Sequence, residues 1–96
     1  MMVRYFLSSR AEQDVGDIWD HLGSHSPDAA DRMVDRFTAA FDQLAQFPES
    51  GEKLAHRVQF LRRISVPPYV IYYQFAGGDV CIVRVLHGSR TWEELL

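Results

Sequence analysis

The side chains with the most chemical content lie in the second half of the chain, and they are basic. Lys53, Arg57, Arg62, Arg63, Arg84 and Arg90 face one acid, Asp79, between residues 53 and 90, a net charge of +5. All but Lys53 are arginines, whose planar fork of N–H donors suits bidentate contacts to carboxylate or phosphate. His87 stands between Arg84 and Arg90 at the end of an apolar run, so it is the candidate for proton transfer beside a bound phosphate. Alternation along a strand sends Arg62 and Arg63 to opposite faces, so one of them is expected to join Arg84 and Arg90 on an open sheet face. The plainer reading of the same residues is a set of solvated or ion-paired arginines.

Other candidates carry less. His21 and His25 have i, i+4 spacing near Asp17 and Asp20, but a metal site there needs a helix running through Gly23. They read as cations at a helix C-terminus, and no metal and no cofactor is expected. His56 stands apart from them in the basic stretch. Tyr69, Tyr72 and Tyr73, with Phe60 nearby, offer aromatic faces for bases, although Tyr69, Ile71 and Tyr73 also read as one buried strand face. Cys81 is the sole cysteine, which excludes an internal disulfide and a CxxC zinc site. It is expected on the side of Val83 and Val85 as a small buried residue. No serine–histidine–acid spacing, glycine-rich phosphate loop or catalytic carboxylate pair is present.

These residues need a scaffold, and its elements are legible. Residues 3–7 (Val-Arg-Tyr-Phe-Leu) form a short opening strand. Ser8 and Ser9 cap a helix whose apolar positions Ala11, Val15, Ile18, Trp19 and Leu22 share one face, with Asp14, Asp17 and Asp20 opposite and Gly23 at the end. Ser26-Pro27-Asp28 starts a second helix, in which Ala30, Met33, Val34, Phe37, Phe41, Leu44 and Ala45 recur at spacings of three and four, and Pro48 stops it. Trp19 and the phenylalanines of the second helix are expected in the core. A linker of about four residues makes the pair an antiparallel hairpin. Strands follow at 58–66, Tyr69–Phe75 and Val80–Leu86, separated by Pro67-Pro68 and by a Gly77-Gly78-Asp79 turn. Trp92–Leu96 adds a helical turn or packs on the sheet. The order β-α-α-β-β-β is α+β, an N-terminal helical hairpin on a small, mostly antiparallel sheet.

The chain has 96 residues, 47% of them hydrophobic, which fits one domain over residues 1–96 with a core of its own. Its net charge of −3 is split, −5 over residues 1–50 and +2 over residues 51–96. The basic half therefore offers a local anion-facing surface within an acidic protein. No apolar run is long enough to span a membrane, and the apolar run in MMVRYFLSSR is too short for a signal peptide. A cytoplasmic location is expected.

An ordered set of segments completes the reading. Tyr5-Phe-Leu-Ser8, Ala11 and Asp14-Val-Gly-Asp-Ile-Trp19 come first, then Ala29-Ala30, Phe41-Asp-Gln-Leu-Ala45 and Phe47-Pro48-Glu-Ser-Gly51. Leu61-Arg-Arg-Ile64, Tyr69-Val-Ile-Tyr-Tyr73 and Ile82-Val-Arg-Val-Leu-His-Gly-Ser-Arg90 close it. Together they resemble the ParE branch of the RelE/ParE toxin superfamily over nearly the whole chain.

The resemblance implies the toxin of a bacterial type II toxin–antitoxin system, with DNA gyrase as the target and a cognate antitoxin as the neutralising partner. It implies a binding inhibitor with no chemistry of its own and no sequence-specific DNA binding by this chain. Lys53, Arg57, Arg62, Arg63, Arg84, Arg90 and Trp92 are then the residues expected to meet antitoxin or target. An acidic antitoxin tail would be drawn to the +5 stretch. The rival is a RelE-like endoribonuclease that cuts messenger RNA on the ribosome, with Arg62, Arg84 and Arg90 on the phosphate and His87 as acid or base. Two departures from that branch favour the first: no tyrosine follows Arg90, and only Lys53 follows Gly51 where such nucleases are lysine-rich. A third reading is an inactive toxin that only complexes its antitoxin.

Overall fold

The computed structural model describes residues 3–54 and 60–90. Strand β1 (Tyr5–Leu7) leads into helices α1 (Ser9–Gly23) and α2 (Pro27–Gln46). Four strands follow: β2 (Glu52–Lys53), β3 (Leu61–Val66), β4 (Tyr69–Ala76) and β5 (Asp79–His87). They form one sheet in the order β1-β5-β4-β3-β2. Every pairing is antiparallel except that of β1 with β5, where the opening strand lies parallel to the last. The expected α+β architecture is therefore present with one strand more. Glu52–Lys53 pairs with Arg62–Arg63, a bridge too short to leave a period in the sequence. The strand anticipated at 58–66 is described from Leu61; Val58 and Gln59, with His56, Arg57 and the tail Trp92–Leu96, lie outside the described residues.

Local chemistry sets the element ends. Ser8 caps α1, its hydroxyl accepting from the Ala11 N–H (3.1 Å). Ser26 does the same for α2 through the Ala29 N–H (3.2 Å), with Pro27 in the first turn. Gly77 and Gly78 both take positive φ, +68° and +89°, which lets a two-residue turn match the twist of β4 and β5.

The core lies between the helical hairpin and one sheet face. Ala11, Met33, Phe37, Phe41 and Leu44 from the helices meet Val66, Tyr69, Ile71, Tyr73, Val80, Ile82 and Val85 from the strands. The Tyr69–Ile71–Tyr73 row is fully part of it. The other sheet face buries a smaller cluster of Leu61, Tyr72 and Leu86.

Three expectations about side-chain direction are corrected. Trp19 is 47% exposed, and the core is built by Phe37 and Phe41 instead. A bulge opposes Tyr72 to Arg84 and Tyr73 to Ile82, leaving Val83 as the extra residue. That shift returns Val85 to the core face and leaves Cys81, half-buried, on the other side. Finally, Asp14 is not a solvent-facing residue of α1 but packs against β5, as described below.

Candidate functional site

Chain geometry distributes the basic residues over three places. Arg84, opposite Tyr72 on β5, sends its guanidinium to Asp14 on α1. Its Nε donates to Oδ2 at 2.8 Å and its Nη2 to Oδ1 at 3.0 Å. Both side chains are largely buried, 15% and 13% exposed. The same carboxylate accepts the backbone N–H of Val85 (3.0 Å). The cause is the brevity of β1. It pairs only as far as Leu7 with Ile82. Beyond it the Ser8 N–H donates to Ile82 (2.9 Å) and the Ser8 hydroxyl to the Val83 carbonyl (2.8 Å). Asp14 then satisfies the next orphan donor of the β5 edge. Its two-oxygen bond to Arg84 is the main reason that guanidinium holds its proton more firmly than usual, against the opposing effect of burial.

Arg62 lies on the core-facing side of β3, opposite Tyr73. Its Nη1 donates to the carbonyls of Glu49 (2.8 Å) and Gly51 (2.9 Å). The Tyr73 hydroxyl reaches the same turn, donating to the Pro48 carbonyl (2.9 Å) and accepting from the Gly51 N–H (2.8 Å). Burial pushes the Tyr73 phenol up, opposed by the Gly51 hydrogen bond, Arg62 and Ser50. The segment Phe47-Pro-Glu-Ser-Gly51 is thus a clasp from the end of α2 to the sheet.

Arg63 lies on the opposite face beside Tyr72, so Arg63, Tyr72 and Arg84 occupy one row across β3, β4 and β5. Arg63 pairs with Glu52 (3.1 Å), and that hydrogen bond is the chief cause raising its affinity for its proton. The pair is exposed, so it adds little stability. Lys53 is exposed on β2 opposite Arg62.

His87 ends β5, its ring nearly perpendicular to that of Tyr69 with centroids 5.7 Å apart. The Ser89 N–H donates to its Nδ1 (3.1 Å), so in the neutral ring the proton sits on Nε2. Arg90 is exposed in the turn that follows, its N–H bonded to the His87 carbonyl (3.0 Å).

The expected row on the open face therefore holds Arg63 and Arg84. The quartet Arg62, Arg84, His87 and Arg90 is not assembled as one cluster: Arg62 is turned to the other face and onto carbonyls, and Arg84 is bound by Asp14. Arg57 and Trp92 lie outside the described residues. Among those residues no group of three or more histidine, cysteine and carboxylate side chains is placed to hold a metal ion. Sequence reasoning missed Asp14, because helical periodicity places a residue on a face without saying which strand edge lies beside it. It also missed a groove between the helices, lined by Glu12, Val15, Gly16, Trp19, Asp20, Asp31, Val34 and Asp35. The unpaired apolar weight of Trp19 was its one signal.

A helical hairpin over a five-stranded mixed sheet is also the fold of known toxins. The structure superposes on a chain of the chromosomal ParDE toxin–antitoxin system from P. aeruginosa with a TM-score of 0.75 at 21% identity, covering 91% of this chain and 96% of that one. A chain of the RelBE2 complex from Mycobacterium tuberculosis gives 0.66 at 19% identity, over 91% and 99%. The family model for the ParE toxin of type II toxin–antitoxin systems, parDE, matches residues 5–92. The chain belongs to that family. It is 44% identical to Toxin RelE2 of Caulobacter vibrioides over 93% of this chain and 99% of the relative. It is 29% identical to Toxin ParE1 of Mycobacterium tuberculosis over 91% of each.

Proposed function

We propose that this type II toxin arrests growth by binding DNA gyrase, without chemistry of its own, and that a cognate antitoxin neutralises it. The supporting observation is the employment of its arginines. A ribonuclease must offer free cations to the scissile phosphate. Here Arg84 is closed by Asp14 and Arg62 by two backbone carbonyls. The antitoxin is supported by the two structural neighbours, which come from a ParDE system and a RelBE complex. Among the described residues of the basic half, Lys53 and Arg90 are exposed and could receive an acidic tail of such a partner.

The competing reading is an endoribonuclease, in keeping with the name of the RelE2 relative. One experiment separates the two: inducible expression of the chain alone in bacteria, with a plasmid-topology gel and primer extension on the same cells. Growth arrest with altered supercoiling and intact messenger RNA supports gyrase inhibition. Arrest with cut messages and unchanged topology overturns it.

A further inference from the structure

We infer that His21 and His25, at the end of α1 where the hairpin turns, chelate one divalent ion of the late first transition series such as Zn²⁺, with water completing its coordination. Helical geometry carries the chain through Gly23. That glycine lies within α1, only Gly77 and Gly78 take positive φ among the described glycines, and Ser24 beyond it is still right-handed helical at φ −66°, ψ −21°. His25 therefore stands one turn past His21 instead of being thrown off the helix. The two rings are exposed, with centroids 5.6 Å apart. An ion about 2.0–2.1 Å from a nitrogen of each ring would hold the centroids about 5 Å apart. Small side-chain rotations close that difference.

The hydrogen bonds fix which nitrogen of His25 is free. The Ser24 hydroxyl donates to the His21 carbonyl (2.7 Å). The His25 Nδ1 lies 3.2 Å from the same carbonyl and 3.0 Å from the Ser24 Oγ. A carbonyl oxygen only accepts, so Nδ1 carries the proton and the neutral ring presents its lone pair at Nε2. Imidazoles in metal sites are oriented in this way, giving the nitrogen that does not ligate to a backbone carbonyl or a carboxylate. The local field agrees. The last carbonyls of α1 favour positive charge, and Asp17, one turn before His21, and Asp20 beside it are exposed and add negative potential. Neither is placed as a third ligand, since no three such side chains converge among the described residues. Two imidazole donors select Zn²⁺, Cu²⁺ or Ni²⁺ over Mg²⁺ and Ca²⁺, which take oxygen ligands.

The test strips the purified chain with EDTA and titrates it with Zn²⁺ alone, by calorimetry and by imidazole and amide shift mapping. One ion per chain is expected, with the largest shifts at His21, Ser24 and His25. Cu²⁺ is expected to bind more tightly than Zn²⁺, and Mg²⁺ to shift nothing. His21→Ala and His25→Ala should each weaken Zn²⁺ at least about tenfold, because a single imidazole cannot chelate. Both rings are exposed, so the metal-free melting temperatures should stay near that of the parent. The chain has four histidines, and His56→Ala with His87→Ala removes the other two. That double variant should keep the full affinity. Parent affinity in His21→Ala or His25→Ala, loss of affinity in the double variant, one ion per two chains, or no binding of Zn²⁺ overturns the inference. None of these outcomes depends on the cellular target, which the growth-arrest experiment reads separately.

Discussion

Gly51 and Tyr73 are joined across 22 residues of sequence by a hydrogen bond of 2.8 Å from the glycine N–H to the tyrosine hydroxyl. The same hydroxyl donates to the Pro48 carbonyl, and Arg62 clamps the carbonyls of Glu49 and Gly51. The turn that ends α2 is thereby fixed to the middle of the sheet, which sets the angle at which the hairpin meets it. Tyr73 is fully buried, so its hydroxyl has no alternative partner in water.

Tyr73→Phe is expected to cost about 1–3 kcal/mol, because it leaves the Gly51 N–H and the Pro48 carbonyl short of a partner. The loss depends on pH. The folded state holds the phenol above its ordinary value of 10.0. The unfolded chain therefore releases that proton first. What this raised value contributes is whole below about pH 10 and is lost as pH rises through the folded-state value. Urea midpoints of parent and variant should keep a constant gap below about pH 10 and converge as pH rises above it. A gap that stays constant as pH rises above about 10 would contradict the assignment.

Gly51→Ala and Gly16→Ala make the same chemical change with opposite expected signs. A Cβ on Gly51 would strike the Tyr73 hydroxyl and stand 2.7 Å from its ring and 2.9 Å from the Arg63 carbonyl. Neither neighbour can yield without opening the clasp, so a cost of about 1–3 kcal/mol is expected. A Cβ on Gly16 meets nothing, and alanine is the better helix former by up to about 1 kcal/mol. Thermal melts of the two variants should move in opposite directions.

Asp14→Ala should be among the most damaging single changes to a charged residue. It strands the Arg84 guanidinium, 15% exposed, and frees the Val85 N–H at a sheet edge. Removing one partner of a largely buried pair costs about 3–5 kcal/mol. Arg84→Met, which keeps bulk without charge, should lose less. In a double-mutant cycle the pair should couple by more than about 1 kcal/mol, against almost nothing for exposed Arg63 and Glu52.

Much of this architecture is legible from periodicity. Ala11, Met33, Phe37, Phe41 and Leu44 repeat at helical spacing, and Tyr69, Ile71 and Tyr73 alternate, so the core is readable before any contact is known. The serine caps and the double-glycine turn follow from backbone chemistry alone. What escapes is whatever depends on tertiary neighbours. Glu52 and Lys53 have no strand pattern because the pairing partner makes them a strand. The bulge beside Tyr72 puts Cys81 and Val85 on opposite faces, and no local signal marks it. Asp14 reads as solvent-facing until the short β1 exposes the β5 edge. Arg62 and Arg84 read as free cations because sequence shows charge and hides its partner. Trp19 reads as core because hydrophobicity does not tell a buried face from an exposed one.

His87→Ala distinguishes the two modes of toxicity with the least disturbance to the fold. The imidazole is exposed, touching Ser89 and the edge of Tyr69, so its removal should cost under about 1 kcal/mol. A general acid or base contributes about 10²- to 10⁴-fold to a rate. An endoribonuclease that depends on this ring would therefore lose its effect on growth in a variant that melts near the parent temperature. A binding inhibitor would keep it. With the chain under an inducible promoter, plating efficiency of His87→Ala is expected to fall as far as that of the parent, with the melting temperature measured on the same preparation. Restored growth at an unchanged melting temperature would move the assignment to phosphate chemistry at the His87–Arg90 turn.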